Sequence, residues 1–485
     1  TKWDAARFLH LAVDPSRRDP EHLACQPAED SHSSDNHRDM DDRDSRCEAN
    51  AFRVSEEAHA FFPMFPMCVR FVANVLDQFS DQYGCIPKHF LPPSYEGTTV
   101  LAALLWNMTC FLLTTWALND ATQSILANHT GRNTNATATL ARRVTLIFIY
   151  NPASVFFLTS YSESTFAALN FVGHAVYLRM RTRSRYAWWI LAVPFWMAAS
   201  YTRSNGSINA VFLMLEAVAI LMSGTRYGAT RRTLHTSLDT MVHLLGAALV
   251  MYPIRLHDVQ GWNRHCGSMA ALQANAQDRA PSQHSMPEWC TGNDIHSFSL
   301  YKHVQREHWD VGAFRYYEWK QIPNFLLAAP VLIASFLGVC LWIRQSMFQF
   351  HRIHPLPRTR SPLDATRWGV SWGMQALRLS DIQTRANLPT KKDDDVARDD
   401  DMALICMPAM LPYYAILFAI ALVGLIIAHV QISTRLICSS SPAMFWCLAW
   451  LSLRQRIAGL RIIQCYCGLY IALGIILHVN FLPWT

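Results

Sequence analysis

The sequence predicts an all-α polytopic membrane protein with about ten transmembrane helices, and three observations predict it. Of its 485 residues, 51% are apolar and 16% charged, where an ordinary soluble chain carries about 25% charged residues. Much of the charge sits in two polar stretches, 14–57 and 358–401, so the remainder is more apolar than the average suggests. That remainder falls into runs of about 20 mainly apolar residues, the length that crosses a bilayer, with arginines at their ends.

In chain order the clearest spans are 98–118, 238–256, 324–343, 403–430 and 462–479. Two longer stretches, 144–178 and 187–222, are apolar but broken in the middle by polar residues, the pattern of two helices folded into a tight hairpin. A shorter span at 442–453 completes roughly ten crossings. Segment 61–79 is apolar yet carries Pro63, Pro66, Arg70, Asn74 and Asp77, so it is expected to be re-entrant or interfacial. A full crossing there would invert everything after it. No signal peptide is visible at Thr1, and a first membrane helix is expected to be missing ahead of it.

Orientation follows from the basic flanks. Arg142, Arg143 and the arginines of 179–185, 226–232, 344–360 and 454–461 are placed in the cytosol by the positive-inside rule. The lumen then receives residues 1–97, the hairpin tips at 160–164 and 202–207, the loop 257–321, the turn 431–441 and the C-terminal tail. The sequons at Asn128 and Asn135 fall on the cytosolic side, unused. Four parts result: a luminal first loop 1–97, helices 98–256 with luminal tips, a luminal loop 257–321, and helices 322–485 with a cytosolic polar loop at 344–402.

Several function classes drop out. The net charge of +6 is not a nucleic-acid footprint, because its arginines sit at helix ends and not on one soluble face. Among 13 cysteines no CxxC pair occurs, and Cys465 with Cys467 lies inside an apolar helix, so no metal site is expected. Cys266 and Cys290 share a polar loop and can form a luminal disulfide, although spacing does not set the pairing. The stretch 14–57, with Asp39, Asp41, Asp42 and Asp44, has too few apolar residues to fold around a metal and reads as a disordered insert.

Three luminal places concentrate polar residues beside the membrane, where burying them in hydrocarbon is costly. The first is Trp3 with Asp4, which by themselves read as a belt tryptophan beside a solvated carboxylate. The second is the pair of hairpin tips, with Tyr161, Ser162 and Glu163 in one and Arg203, Ser204, Asn205 and Gly206 in the other. Capping and turn formation account for Ser, Asn and Gly there but poorly for Glu163 and Arg203. The third is the aromatic stretch 308–325, equally readable as an interfacial belt.

At these residues the chain resembles the PIG-V family, the second mannosyltransferases of glycosylphosphatidylinositol (GPI) anchor assembly. The matching strings are KWDAARF from Lys2, AFFPMFP from Ala60, NPASVFFLTSYSES from Asn151 and TRSNG from Thr202. They continue with VGAFRYYEWKQIPNFLLAAPV from Val311, HVQISTRL from His429, SSSP from Ser439 and HVNFLPWT from His478. The set is ordered and covers about two-thirds of the chain; it fails in 14–57 and is thin over 344–401.

The resemblance implies a GT-C membrane fold of about eleven helices in the endoplasmic reticulum, working from the luminal side. It implies dolichyl-phosphate-mannose as donor, a mannosyl-glucosaminyl-phosphatidylinositol acceptor, and an α1,6-linked second mannose made with inversion. Such a displacement needs a base on the acceptor hydroxyl and stabilisation of the departing phosphate. Asp4 matches the family's first-loop acid and is the expected base, with Trp3 beside it. Arg203 and Arg435, with Lys320 behind them, are the expected phosphate contacts, so no metal or other cofactor is required. Glu163, Asn205, Gln321, Asn324, His429 and Gln431 are expected to position sugar hydroxyls. Partners implied are membrane lipids, the two glycolipid substrates and a small accessory membrane subunit.

Other classes share some features. A transporter or scramblase would show related halves and a midplane site, and the sequence has no internal repeat. A non-catalytic subunit would not need a luminal acid at Asp4. A sibling mannosyltransferase with another acceptor would share the donor chemistry.

Overall fold

Helices are the only regular elements among the residues that the computed structural model describes: 4–12, 56–81, 95–130, 135–183, 187–224, 230–267, 290, 299–353, 366, 368–373, 410–454 and 456–480. In chain order the α-helices are α1 (Asp4–Ala12), α2 (Met64–Asp81), α3 (Tyr95–Thr130), α4 (Asn135–Ile149), α5 (Ser154–Leu158), α6 (Glu163–Arg183) and α7 (Val193–Ser200). They continue as α8 (Ile208–Gly224), α9 (Thr230–Trp262), α10 (Leu300–Glu307), α11 (Ile322–Ile353), α12 (Leu411–Ile426), α13 (Ser433–Ser440), α14 (Pro442–Arg454) and α15 (Arg456–Val479). They fall into two compact units, each discontinuous in sequence. The first comprises Thr1–Asn107, Thr159–Tyr161 and Arg255–Val311; the second comprises Met108–Leu158, Ser162–Ile254 and Gly312–Thr485.

Among the described residues five stretches are long and apolar enough to cross a membrane: Gly97–Ile125, Ser204–Leu221, Ser237–Cys266, Trp319–Phe348 and Gly459–Val479. The pair Val430–Ser440 and Pro442–Leu453, bent by 85°, makes a sixth if it is one broken span. Large apolar side chains on these helices face outward, as at Leu112, Met241, Ile333 and Ile462, each more than 60% exposed. That surface is suited to lipid and not to water. The expected count of about ten is not reached among the described residues by length and composition. Trp189–Ser200 and Leu411–Ile426 are apolar but short, and α6 carries Glu163, Asn170 and His174, all buried by neighbouring helices. A helix shielded by protein can keep polar groups that a lipid-facing one cannot.

In the first unit α1 packs on α2. Phe8 meets Phe61 and Phe65 edge-on, with ring centroids 4.9 and 5.2 Å apart, in a core that also holds Val69, Ala73, Ala102 and Ala103. Arg70, which argued against a full crossing of 61–79, donates to the carbonyls of Leu11 at 2.7 Å and Ala12 at 3.0 Å. Its guanidinium therefore satisfies the last carbonyls of α1, where the helix dipole is negative. α2 is not among the apolar spans. His59 stacks on His257 at 3.7 Å, and Gly261 lies so close that a Cβ would sit 2.6 Å from the His59 ring. Cys266 and Cys290, whose pairing spacing left open, form a disulfide.

In the second unit the core is aromatic. Tyr177, Trp189, Trp196, Phe212 and Tyr413 are all at most 1% exposed, and Trp446 donates to Thr122 Oγ1 at 2.9 Å. Both expected hairpin stretches break, the first of them twice: at Asn151, which was not expected, and over 159–162 between α5 and α6, beside the expected tip at 160–164. Asn151 donates to Phe148 O and accepts from Ala153 N, each at 2.8 Å, which ends α4 and starts the turn into α5. The second stretch breaks at a 3-10 turn, Ser204–Ser207, between α7 and α8.

Candidate active site

Glu163 opens α6, a position that favours an acid because backbone N–H groups there are unpaired. Its side chain has no exposed surface, and its Oε1 lies 2.6 Å from Arg203 Nη1 and 3.4 Å from Arg435 Nη1. Arg203 also donates to Ser162 Oγ at 3.2 Å, and the Arg435 guanidinium lies over the Phe156 ring at 5.5 Å. Two guanidiniums thus converge on one oxygen of a buried carboxylate. Glu163 Oε2, Ser200 Oγ and Thr434 Oγ1 are buried with no hydrogen-bond partner among the described residues, so the cluster retains polar capacity for water or a ligand.

Local backbone chemistry sets the arginines there. Arg203 caps the 3-10 turn in an extended conformation (φ −155°, ψ 144°), so its side chain leaves the helix axis. Gly206, in the same turn, lies so close to α7 that a Cβ would sit 2.5 Å from Ser200 N; only glycine fits. Asn205 donates to Ser440 Oγ at 2.8 Å, Asn170 to Ser440 O at 2.9 Å, and Asn209 to Asn170 Oδ1 at 3.0 Å and Gly206 O at 3.1 Å. The turn that carries Arg203 is thereby tied to α13, which carries Arg435.

A second cluster in this unit gathers around Tyr316. Asn324 donates to Tyr316 Oη at 2.9 Å and to Gln321 Oε1 at 2.7 Å, and the phenol donates to Gln431 Oε1 at 3.2 Å. Its ring stacks on His429 at 4.4 Å. Burial pushes the Tyr316 phenol above its ordinary range, with Asn324 opposing and Glu318 adding, so it remains a donor at neutral pH. The loop is held by Gly312 N to Ile427 O at 3.2 Å and Phe314 N to Ile426 O at 2.8 Å. These bonds take carbonyls at the end of α12, and they keep Phe314 at φ 58°, a conformation rare for a bulky residue.

In the first unit, Trp3 lies outside the described residues and Asp4 is described by its backbone alone, as the first residue of α1. That helix is anchored one turn on. Arg7 Nη2 is 3.2 Å from Glu57 Oε2, and Glu57 Oε1 is 3.1 Å from His308 Nδ1. The Arg7 guanidinium also faces the rings of Phe61 and Trp309, at 5.9 and 6.0 Å.

The sequence-predicted residues thus divide. Glu163, Arg203 and Arg435 form one cluster, with Asn205 in the network behind it; Gln321, Asn324, His429 and Gln431 form another. Lys320 joins neither by a direct contact among the described residues and pairs instead with Glu318 at 2.6 Å. Sequence reasoning passed over Tyr316, hidden among belt aromatics, although it stands inside the string that carried the resemblance. It also placed Glu57 at the end of the insert, yet Glu57 belongs to the packed 3-10 turn Glu56–Ala60.

Comparison with known proteins is consistent in direction. A family profile described as "Mannosyltransferase (PIG-V)" matches residues 49–485, which leaves Trp3 and Asp4 ahead of the match. GPI mannosyltransferase 2 of Drosophila pseudoobscura pseudoobscura is 26% identical over 454 residues, covering 89% of this chain and 82% of that protein. GPI alpha-1,6-mannosyltransferase 2 of Homo sapiens is 26% identical over 480 residues, covering 89% and 84%, and that of Mus musculus is 25% identical over 478 residues with the same coverage. No solved structure matches.

Proposed function

The chain belongs to the PIG-V family of mannosyltransferases, and on that premise we propose that it adds the second mannose, in α1,6 linkage, to the mannosyl-glucosaminyl-phosphatidylinositol precursor of the GPI anchor. The relatives' names supply the linkage and the pathway. The donor is dolichyl-phosphate-mannose, and the enzyme is a multi-pass protein of the endoplasmic reticulum with a GT-C fold of about ten spans and a luminal active site. Membrane lipids and the two glycolipids are its partners. A small accessory membrane subunit belongs to the same reading and rests on the family resemblance.

The observation that carries the donor reading is the pair of arginines that converge on the buried carboxylate of Glu163. A phosphodiester set against the two guanidiniums would accept charge-assisted hydrogen bonds from them, and low-dielectric surroundings strengthen that contact. In the reaction the acceptor hydroxyl oxygen forms a bond to the anomeric carbon while the bond from that carbon to the phosphate oxygen breaks. The electron pair leaves with dolichyl phosphate, whose charge Arg203 and Arg435 stabilise. The hydroxyl proton passes to the Asp4 carboxylate, needed as the oxygen becomes positive late in the displacement. The configuration inverts once, from β to α.

The test is transfer in microsomes from cells lacking their own enzyme and expressing this chain, with labelled dolichyl-phosphate-mannose and the one-mannose acceptor. A two-mannose product sensitive to α1,6-mannosidase is expected. Normal protein without that product would overturn the reading. For topology, a tag within 358–401 should be accessible to protease in sealed microsomes and one after Thr485 protected.

A further inference from the structure

We infer that Tyr316 is a contact for the donor sugar: its phenol, oriented by Asn324 and Gln431 and stacked on His429, takes a hydroxyl of the mannose whose phosphate lies at Arg203 and Arg435. The inference rests on the donor reading above and deepens it by naming the group that reads the sugar.

The phenol is already oriented. It accepts from Asn324 Nδ2 and donates to Gln431 Oε1, so its rotor is set and one lone pair remains for an incoming hydroxyl. Tyr316, His429 and Gln431 are half-buried, sheltered and still reachable. The groups that touch the phenol and its ring are amides and an imidazole, which suit hydroxyls, while Glu318 acts on it through space and is itself paired with Lys320. The stacked Tyr316 and His429 rings add a flat apolar face of the kind against which the C–H face of a hexose packs.

Placement selects the donor over the acceptor. Gln431 lies in the 3-10 turn Val430–Ile432, which runs directly into α13, and Arg435 follows four residues later. Four residues rise about 6–8 Å through a 3-10 turn and the first turn of an α-helix. That is about the span from a phosphate to the far hydroxyls of a hexose bonded to it. In the donor the sugar is bonded directly to the phosphate. In the acceptor, inositol and glucosamine separate the phosphate from the mannose. A sugar beside Tyr316 with its own phosphate at Arg435 is therefore the donor's.

The experiment is steady-state transfer by the full chain with Tyr316→Phe, which removes the phenol and keeps the ring on His429. The KM for dolichyl-phosphate-mannose should rise roughly three- to tenfold, the loss of one neutral hydrogen bond. The preference for dolichyl-phosphate-mannose over dolichyl-phosphate-glucose should narrow, and the acceptor KM should stay within about twofold. KM does not depend on the folded fraction, so reduced yield leaves the readout intact. Gln431→Ala, which frees the phenol without removing it, should shift donor KM in the same direction. Unchanged donor KM in both variants overturns the inference, as does a rise confined to the acceptor. A parent chain that cannot use dolichyl-phosphate-mannose at all would instead sink the donor reading, and this inference with it.

Discussion

The Glu163 carboxylate, with no exposed surface, holds the Arg203 guanidinium at 2.6 Å across forty residues of chain. The same oxygen also faces Arg435, so Glu163 holds the two guanidiniums together. Removing the acid from a buried pair strands positive charge and costs about 3–5 kcal/mol. Glu163→Ala should therefore lower protein yield and the thermal midpoint. Arg203→Ala removes only the 19% exposed partner and leaves Glu163 with Arg435, so it should fold, with donor use weakened. Thermal scans of both variants in detergent, beside donor KM, check the distinction.

Asp4→Asn keeps the shape of the side chain and removes the proton acceptor. Turnover should fall by roughly 10²-fold or more while protein level and donor binding persist. Reduced expression with normal specific activity would mark Asp4 as structural. Near-parental transfer would rule out the base assignment.

Glu57 separates insert from site. Deleting Pro15 to Ser55 should leave folding and activity close to parental, since that stretch has too few apolar residues to add to a core. Glu57→Ala in the undeleted chain should loosen α1 by about 0.5–1 kcal/mol, the value of a partly exposed pair. Activity should fall severalfold. Limited proteolysis near α1 together with transfer assays of the two forms decides it, and loss of activity only in the deletion would contradict the division.

His59 makes one part of the first unit acid-sensitive. Burial first, then His257, His265 and Arg264, push its pKa down from 6.5 to about 3. The unfolded chain then binds the proton more readily than the folded one. The stability contribution is complete above about pH 6.5 and is lost as pH falls from 6.5 towards 3. The thermal midpoint of the parent should drop between pH 7.5 and 5, and that of His59→Phe should drop less. Equal drops would show that His59 does not govern the transition.

Much of the fold was legible in the chain itself. Apolar runs, arginine flanks and the breaks at 159–162 and Ser204–Ser207 are local properties, each decided by a residue and its near neighbours, and α3, α9, α11 and α15 form where the hydropathy places them. Local hydropathy could not separate a lipid-facing helix from α6, whose Glu163, Asn170 and His174 are covered by other helices. That difference is one of neighbours, not of composition. Partner choice was equally invisible. Asn170 meets Ser440 across 270 residues, Tyr316 meets Gln431 across 115, and Glu57 closes on Arg7 and His308 from opposite directions along the chain. The sequence by itself determined that this is a helical membrane protein, that it resembles the mannosyltransferases, and where along the chain its polar residues interrupt apolar runs. Only the tertiary structure decided which of them act together, because those pairings are set by how distant helices pack.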